Sequence, residues 1–131
     1  MSVTSNYILL ASTGRASKIL CNLTNNSAQT IHSLVYSFES LNVDLSDMTE
    51  EPDGQLYLTF KAVSIDSKIT SSCIYIVDES SMISDIEDKN VIQAKFGTGK
   101  LLTELLKYDN RVDSKFIFIG DPCQLPPIIF F

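Results

Sequence analysis

Histidine is almost missing from this chain, cysteine is scarce, and basic side chains are outnumbered. His32 is the only histidine, and Cys21, Cys73 and Cys123 are the only cysteines among 131 residues. Three scattered thiols, odd in number, form neither a disulfide framework nor a metal-ligand spacing, which predicts a reducing, cytoplasmic setting. No apolar run approaches the length needed to cross a bilayer, so no membrane association is expected. Residues 7–11 are too short for a signal-peptide core and have no basic residues ahead of them. Asn22-Leu23-Thr24 and Asn25-Asn26-Ser27 match glycosylation sequons, but nothing else suggests secretion. There is no internal repeat and no low-complexity tract.

What is present describes one globular domain: 44% hydrophobic and 20% charged residues exclude wholesale disorder. The net charge of −6 argues, as a sum, against nucleic acid. Its distribution matters more. Through Ser40 the only charged side chains are Arg15, Lys18 and Glu39, whereas residues 39–53 hold six acids and no base. An acidic segment can sit away from a binding face.

The chain is organised around Cys73-Ile74-Tyr75-Ile76-Val77-Asp78-Glu79-Ser80-Ser81-Met82. An apolar run of this kind predicts a strand buried on both faces, as in a parallel sheet. Asp78 and Glu79 must then emerge at its carboxyl end, where open α/β sheets bind ligands. The pair has the form of a Walker B motif: one carboxylate for a nucleotide-bound Mg²⁺, the next for the attacking water. The plain alternative is a helix cap and its first turn. A second run, Phe116-Ile117-Phe118-Ile119, ends in Gly120-Asp121-Pro122-Cys123-Gln124. Parallel strands would bring Asp78, Glu79, Asp121 and Gln124 to one ligand. Gln124 carries both a donor and an acceptor on a proline-stiffened loop, as suits contact with a phosphate or a water. Gly-Asp-Pro alone is ordinary turn chemistry.

Elsewhere, residues 7–11 predict a buried strand, then a hydroxyl-capped turn and a helix carrying Ala16, Ile19, Leu20 and Leu23. A second helix is expected over residues 28–38, with Ile31, Leu34, Val35 and Phe38 on one face. Residues 39–54 read as an exposed acidic connection. Residues 55–61 alternate as a half-solvated strand that residues 63–69 would pair with, making a small β-hairpin insertion around 55–70. Residues 84–90 read as polar loop or helix start. Gly97-Thr98-Gly99-Lys100 imitates a phosphate-binding loop, but Ala94 stands where a glycine is needed and Leu101 where a hydroxyl is needed. Residues 94–96 do not read as a strand ahead of it. The stretch is expected to cap a helix over residues 100–108.

The ordered set resembles a known family. Leu10-Ala11-Ser12-Thr13-Gly14-Arg15-Ala16 looks like helicase motif Ia, and Thr30-Ile31-His32-Ser33-Leu34 like the segment after it. Ile76-Val77-Asp78-Glu79-Ser80-Ser81-Met82 resembles motif II, and Gly120-Asp121-Pro122-Cys123-Gln124-Leu125-Pro126-Pro127 motif III. Together they resemble the first RecA-like domain of superfamily 1 DNA helicases, most closely the RecD-like branch.

That resemblance implies a parallel-sheet, P-loop NTPase fold over residues 1–131, with ATP and Mg²⁺ as cofactors. It implies that Asp78 binds Mg²⁺, that Glu79 polarises the hydrolytic water, and that Gln124 couples the γ-phosphate to the DNA track. Thr13, Gly14, Arg15, Thr30 and His32 would contact single-stranded DNA. Without the family, Arg15 is a solvated helix-start residue and His32 a packed helix residue. The family's phosphate-binding loop before motif Ia and its second RecA-like domain have no counterpart in the 131 residues. The expectation is therefore a nearly inert piece of an ATP-dependent 5′-to-3′ helicase of recombination and repair. Two other readings stay open: a non-enzymatic α/β interaction module, and a Mg²⁺-dependent phosphohydrolase or nuclease using Asp78, Glu79 and Asp121.

Overall fold

The computed structural model describes residues 6–43, 56–65, 71–86 and 94–123. In chain order these form β1 (Asn6–Ala11), α1 (Gly14–Thr24), β2 (Ala28–Thr30), α2 (Ile31–Val35), β3 (Tyr36–Val43), β4 (Leu56–Ala62), β5 (Cys73–Asp78), a 3-10 turn (Ser80–Met82), β6 (Ala94–Phe96), α3 (Leu101–Tyr108) and β7 (Lys115–Phe118). The apolar runs become parallel strands, as predicted. One sheet has the order β2-β1-β5-β7, and every neighbouring pair in it is parallel. The fold is α/β.

Side-chain alternation puts Leu10, Tyr75 and Val77 on one face, fully buried against Ile31, Val35 and Leu105. Tyr75 stacks on Phe116 with ring centroids 4.7 Å apart. β5 was expected to be buried on both faces. In the structure Cys73, Tyr75 and Val77 are buried, while Ile74, Ile76 and Asp78 are half-buried. Burial of six apolar side chains at about 1.5–3 kcal/mol each is what opposes the chain entropy here.

The middle of the chain departs from expectation. Residues 28–38 are not one helix: β2 pairs with β1, α2 makes a little over one turn, and Tyr36 opens β3. Ile31, Leu34 and Val35 do have helical spacing, but Tyr36 and Phe38 are drawn into pairing with β4, and tertiary contact overrides the local pattern. The strand expected at residues 55–61 exists as β4 (Leu56–Ala62), but residues 63–65 do not pair with it, and residues 66–69 lie outside the described residues. Both edges of β4 are occupied, by β3 antiparallel and by β6 parallel. Residues 94–96, not expected to be a strand, form β6. Phe96 lies in register with Phe60, and their rings stack at 4.7 Å. The connection expected from residue 39 begins as strand up to Val43, and residues 44–55 lie outside the described residues. After the 3-10 turn, residues 83–86 are irregular; 87–90 are outside the description.

Gly97-Thr98-Gly99 closes onto the start of α3, as expected. The Gly97, Thr98 and Gly99 amides donate to Phe60 O (2.8 Å), Glu104 Oε1 (2.7 Å) and Phe96 O (2.8 Å). The Thr98 hydroxyl donates to the same Glu104 oxygen at 2.7 Å. With its amides so occupied, this turn has none to offer a phosphate. Glu104 is buried. Burial first, and then the hydrogen bond to the Glu104 carboxylate, raises the Tyr36 pKa. Asp85 caps the same helix, accepting from the Thr103 amide and hydroxyl at 2.8 Å each. Gly97 has φ +45, and a Cβ there would lie 2.5 Å from Glu104 Oε1. Gly97→Ala is therefore expected to cost about 2 kcal/mol, read as a fall in the urea midpoint with an unchanged slope.

Candidate functional site

Register decides what meets at the carboxyl edge of the parallel sheet. Ala11 lies opposite both Thr30 of β2 and Asp78 of β5, and Val77 lies opposite Phe118 of β7. The segments leaving these strands are Ser12-Thr13-Gly14-Arg15, Ile31-His32, Glu79-Ser80 and Ile119-Gly120-Asp121. Four segments nominated from separate parts of the sequence thus leave one edge of one sheet.

The carboxylate pair is shaped by its backbone. Asp78 is half-buried, and its Oδ1 accepts the Glu79 amide at 2.9 Å. Glu79 sits at φ 52, ψ 41, in the left-handed region that non-glycine residues rarely adopt. Such a conformation costs on the order of 1 kcal/mol, and these compromises cluster at functional sites. It bends the chain out of β5 into the 3-10 turn. Asp121 is exposed, and its Oδ1 accepts the Cys123 amide at 2.8 Å, an Asx turn of the kind Gly-Asp-Pro alone suggests. Gln124 lies outside the described residues.

At β1, Thr13 caps α1, its Oγ1 accepting from the Ala16 amide at 3.1 Å. A Cβ at Gly14 would meet nothing within 4 Å, and its φ is not positive, so neither space nor turn geometry demands glycine there. The exposed Arg15 follows it. Thr30 repeats the device at α2, its Oγ1 accepting from the Ser33 amide at 3.1 Å. His32 stands apart from the others. Its ring is half-buried against Phe96 (5.1 Å) and Tyr36 (5.6 Å), and burial lowers its pKa.

Two polar atoms at this edge escaped notice in the sequence. The Ser12 and Ser81 hydroxyl oxygens are buried and have no hydrogen-bond partner among the described residues. Serine after a strand is too common to signal anything by itself. Carboxylate and hydroxyl oxygens are the hard ligands that Mg²⁺ takes and the acceptors to which its bound waters donate, so these residues fit a Mg²⁺–nucleotide. Among the described residues no three His, Cys, Asp or Glu side chains converge as a metal cage. Mg²⁺ does not need one, since it uses one or two carboxylates together with phosphates and water.

Parallel strand order, with an acid pair at the end of one inner strand and a third acid just beyond its neighbour, is the arrangement of a P-loop-type α/β domain. A family profile described as an AAA domain matches residues 1–129, and the chain belongs to that family. Searches of curated proteins and of solved structures gave no match. No helix among the described residues is long and apolar enough to cross a membrane.

Proposed function

We propose that this chain is part of the first RecA-like motor domain of a RecD-like superfamily 1 DNA helicase. In this reading Asp78 holds the Mg²⁺ of ATP, Glu79 orients the hydrolytic water, and Gln124 reports the γ-phosphate to the DNA track. Asp121 lines the same nucleotide edge. Thr13, Gly14, Arg15 and Thr30 meet the backbone of single-stranded DNA, while His32 supports that surface from the aromatic cluster. The observation that carries the reading is the shared edge: Asp78 lies one strand from the Thr13–Arg15 turn and one strand from the Gly120-Asp121 loop. ATP cleft and DNA track would then be separated by a single strand spacing, close enough to couple. Unwinding from 5′ to 3′ and a place in repair belong to the same proposal.

Within a complete motor, the outer edge of β7 is where a further strand carrying the phosphate-binding loop would pair. Among the described residues no strand lies there, and Phe118 and Ile119 are 41% and 51% exposed. A second RecA-like domain would close the cleft from above.

The test uses this chain and a fluorescent oligothymidine. Weak binding, suppressed by salt and indifferent to sequence, is expected, because Arg15 and Lys18 are a small basic patch offering only phosphate contact. Arg15→Ala should reduce the slope of log K against log salt by about one unit. Calorimetry with a non-hydrolysable ATP analogue should give an affinity no better than about millimolar, for want of a phosphate-binding loop in the 131 residues. Binding that ignores Arg15 would remove the DNA track from this edge. Mg²⁺-dependent cleavage of the oligonucleotide by the chain alone would replace the motor reading with a nuclease.

A further inference from the structure

Beyond the ends of the hydrogen-bonded strands, two bonds continue the pairing between the Asp78-Glu79 segment and the Asp121 segment. The Ile119 amide donates to Val77 O at 2.8 Å, and the Ser80 amide donates to Ile119 O at 2.9 Å. Because Glu79 is left-handed, the chain after it curls back, with Met82 N–H on Glu79 O (3.1 Å) and Ile83 N–H on Ser80 O (3.2 Å). The curled turn lies directly on Gly120. A Cβ at residue 120 would stand 2.6 Å from Ser80 Oγ, 3.2 Å from the Ser81 nitrogen and 3.6 Å from the Ser80 nitrogen.

This glycine is not required by its own backbone. Among the described residues the glycines with positive φ are Gly97 and Gly99, and Gly120 is not one of them. Alanine fits the φ of residue 120 and lacks only room. The Ser80 hydroxyl can rotate about one bond to give way, but the Ser81 nitrogen belongs to the turn and retreats only if the turn moves.

We infer that Gly120 and Ser80 form a positioning latch: the bare α-carbon of Gly120 seats the Asp121 loop on the Ser80 turn and so sets the separation between Asp78-Glu79 and Asp121. The latch fixes two loops that would otherwise be joined only by the last bonds of an edge strand, and edge-strand ends fray. Its consequence for a bound Mg²⁺ rests on the nucleotide-site proposal; the contact between the two loops does not. A misplacement near 1 Å between groups that act together can lower a rate by about a hundredfold, which is why such a contact matters chemically.

The experiment compares this chain with Gly120→Ala, Gly120→Val and the double variant Ser80→Ala/Gly120→Ala, by NMR amide exchange and thermal melting. In Gly120→Val the Ser80 and Ile119 amides should exchange about tenfold faster or more, while amides inside β1 and β5 stay protected. Gly120→Ala should show a smaller change of the same kind. Ser80→Ala/Gly120→Ala should recover only the part of the protection lost to the 2.6 Å hydroxyl contact, since the Ser81 nitrogen 3.2 Å away still stands in the way. Mn²⁺, added as a paramagnetic stand-in for Mg²⁺, should broaden amides at both 78–81 and 119–121 in the unaltered chain.

Unchanged exchange at Ser80 and Ile119 in Gly120→Val overturns the latch, as does a double variant less protected than Gly120→Ala. If Gly120→Val unfolds, the alanine pair decides by the same comparison. If Mn²⁺ broadens neither loop in the unaltered chain, the metal-site reading fails, and the exchange data still judge the latch.

Discussion

On the proposed motor reading, Glu79→Gln in a protein that hydrolyses ATP should leave Mg²⁺–ATP binding within about twofold of normal and lower turnover on the order of a hundredfold or more. Glutamine keeps the shape of the side chain but removes the charge that orients and polarises a water. The backbone makes Glu79 a specific choice for this role. Its left-handed conformation points the chain away from β5 at the residue where the sheet ends. Asp78, by contrast, is tied to the Glu79 amide through Oδ1. The two adjacent acids therefore have different surroundings, and their variants should differ. Asp78→Asn should weaken Mg²⁺-dependent ATP binding itself, because it removes a charged ligand from the metal. Single-turnover hydrolysis and analogue binding, measured on both variants, separate these outcomes. Normal turnover in Glu79→Gln would withdraw the Walker B assignment. Loss of ATP binding in both variants would make the pair a joint metal site and leave the water without an orienting group.

The features readable from sequence were those with a local cause. β1, β5 and β7 are built around apolar runs, and α1 starts at a hydroxyl cap, Thr13. The end of β5 was legible because charges cannot remain in the middle of a sheet, and this alone placed Asp78 and Glu79 at the edge. What was illegible depends on partners far away in sequence. β3, β4 and β6 form a sheet whose pairing no alternation pattern specifies, so β4 was assigned the wrong neighbour. β6 has only three residues, too few for any period. The packing of His32 in an aromatic cluster follows from Phe96, sixty-four positions later, whose place beside His32 is fixed by β6 pairing with β4. The Gly120–Ser80 contact was equally hidden, since a glycine kept for space looks the same in sequence as one kept for a turn.

The largest effect on stability should come from a residue without any sequence signal, Asp109. It follows α3 and is buried to 3% exposure. Its carboxylate accepts from the Tyr75 hydroxyl (2.8 Å), the Ser114 hydroxyl (2.8 Å), Arg111 Nε (2.8 Å) and Arg111 Nη2 (2.6 Å), and also from the Arg111 amide (3.1 Å). Arg111 also donates to Ser71 O, and Ser114 Oγ accepts the Cys73 amide at 3.4 Å. One carboxylate thus ties the end of α3 to the starts of β5 and β7, at the opposite end of the sheet from the candidate site. Asp109→Ala leaves the Tyr75 hydroxyl buried without its acceptor and should cost on the order of 3 kcal/mol. For a domain of this size that lowers Tm by roughly 10 °C.

The pH dependence has a definite sign. The Arg111 guanidinium first, then the Tyr75 and Ser114 hydroxyls, hold the Asp109 carboxyl well below the usual carboxylate range. Its contribution is therefore complete above its unfolded value of about 3.9 and is lost as pH falls below that. His32 acts in a different window. Burial favours its neutral form, so its protonation in the unfolded chain erodes stability already below about pH 6.5. Urea unfolding from pH 7 to pH 3 should show both declines. In Asp109→Asn the loss below about pH 4 should shrink and the His32 decline should remain, since an amide cannot be protonated there and His32 lies in another part of the fold. An unchanged acid limb in Asp109→Asn would assign acid lability to other carboxylates and reduce Asp109 to a local turn residue.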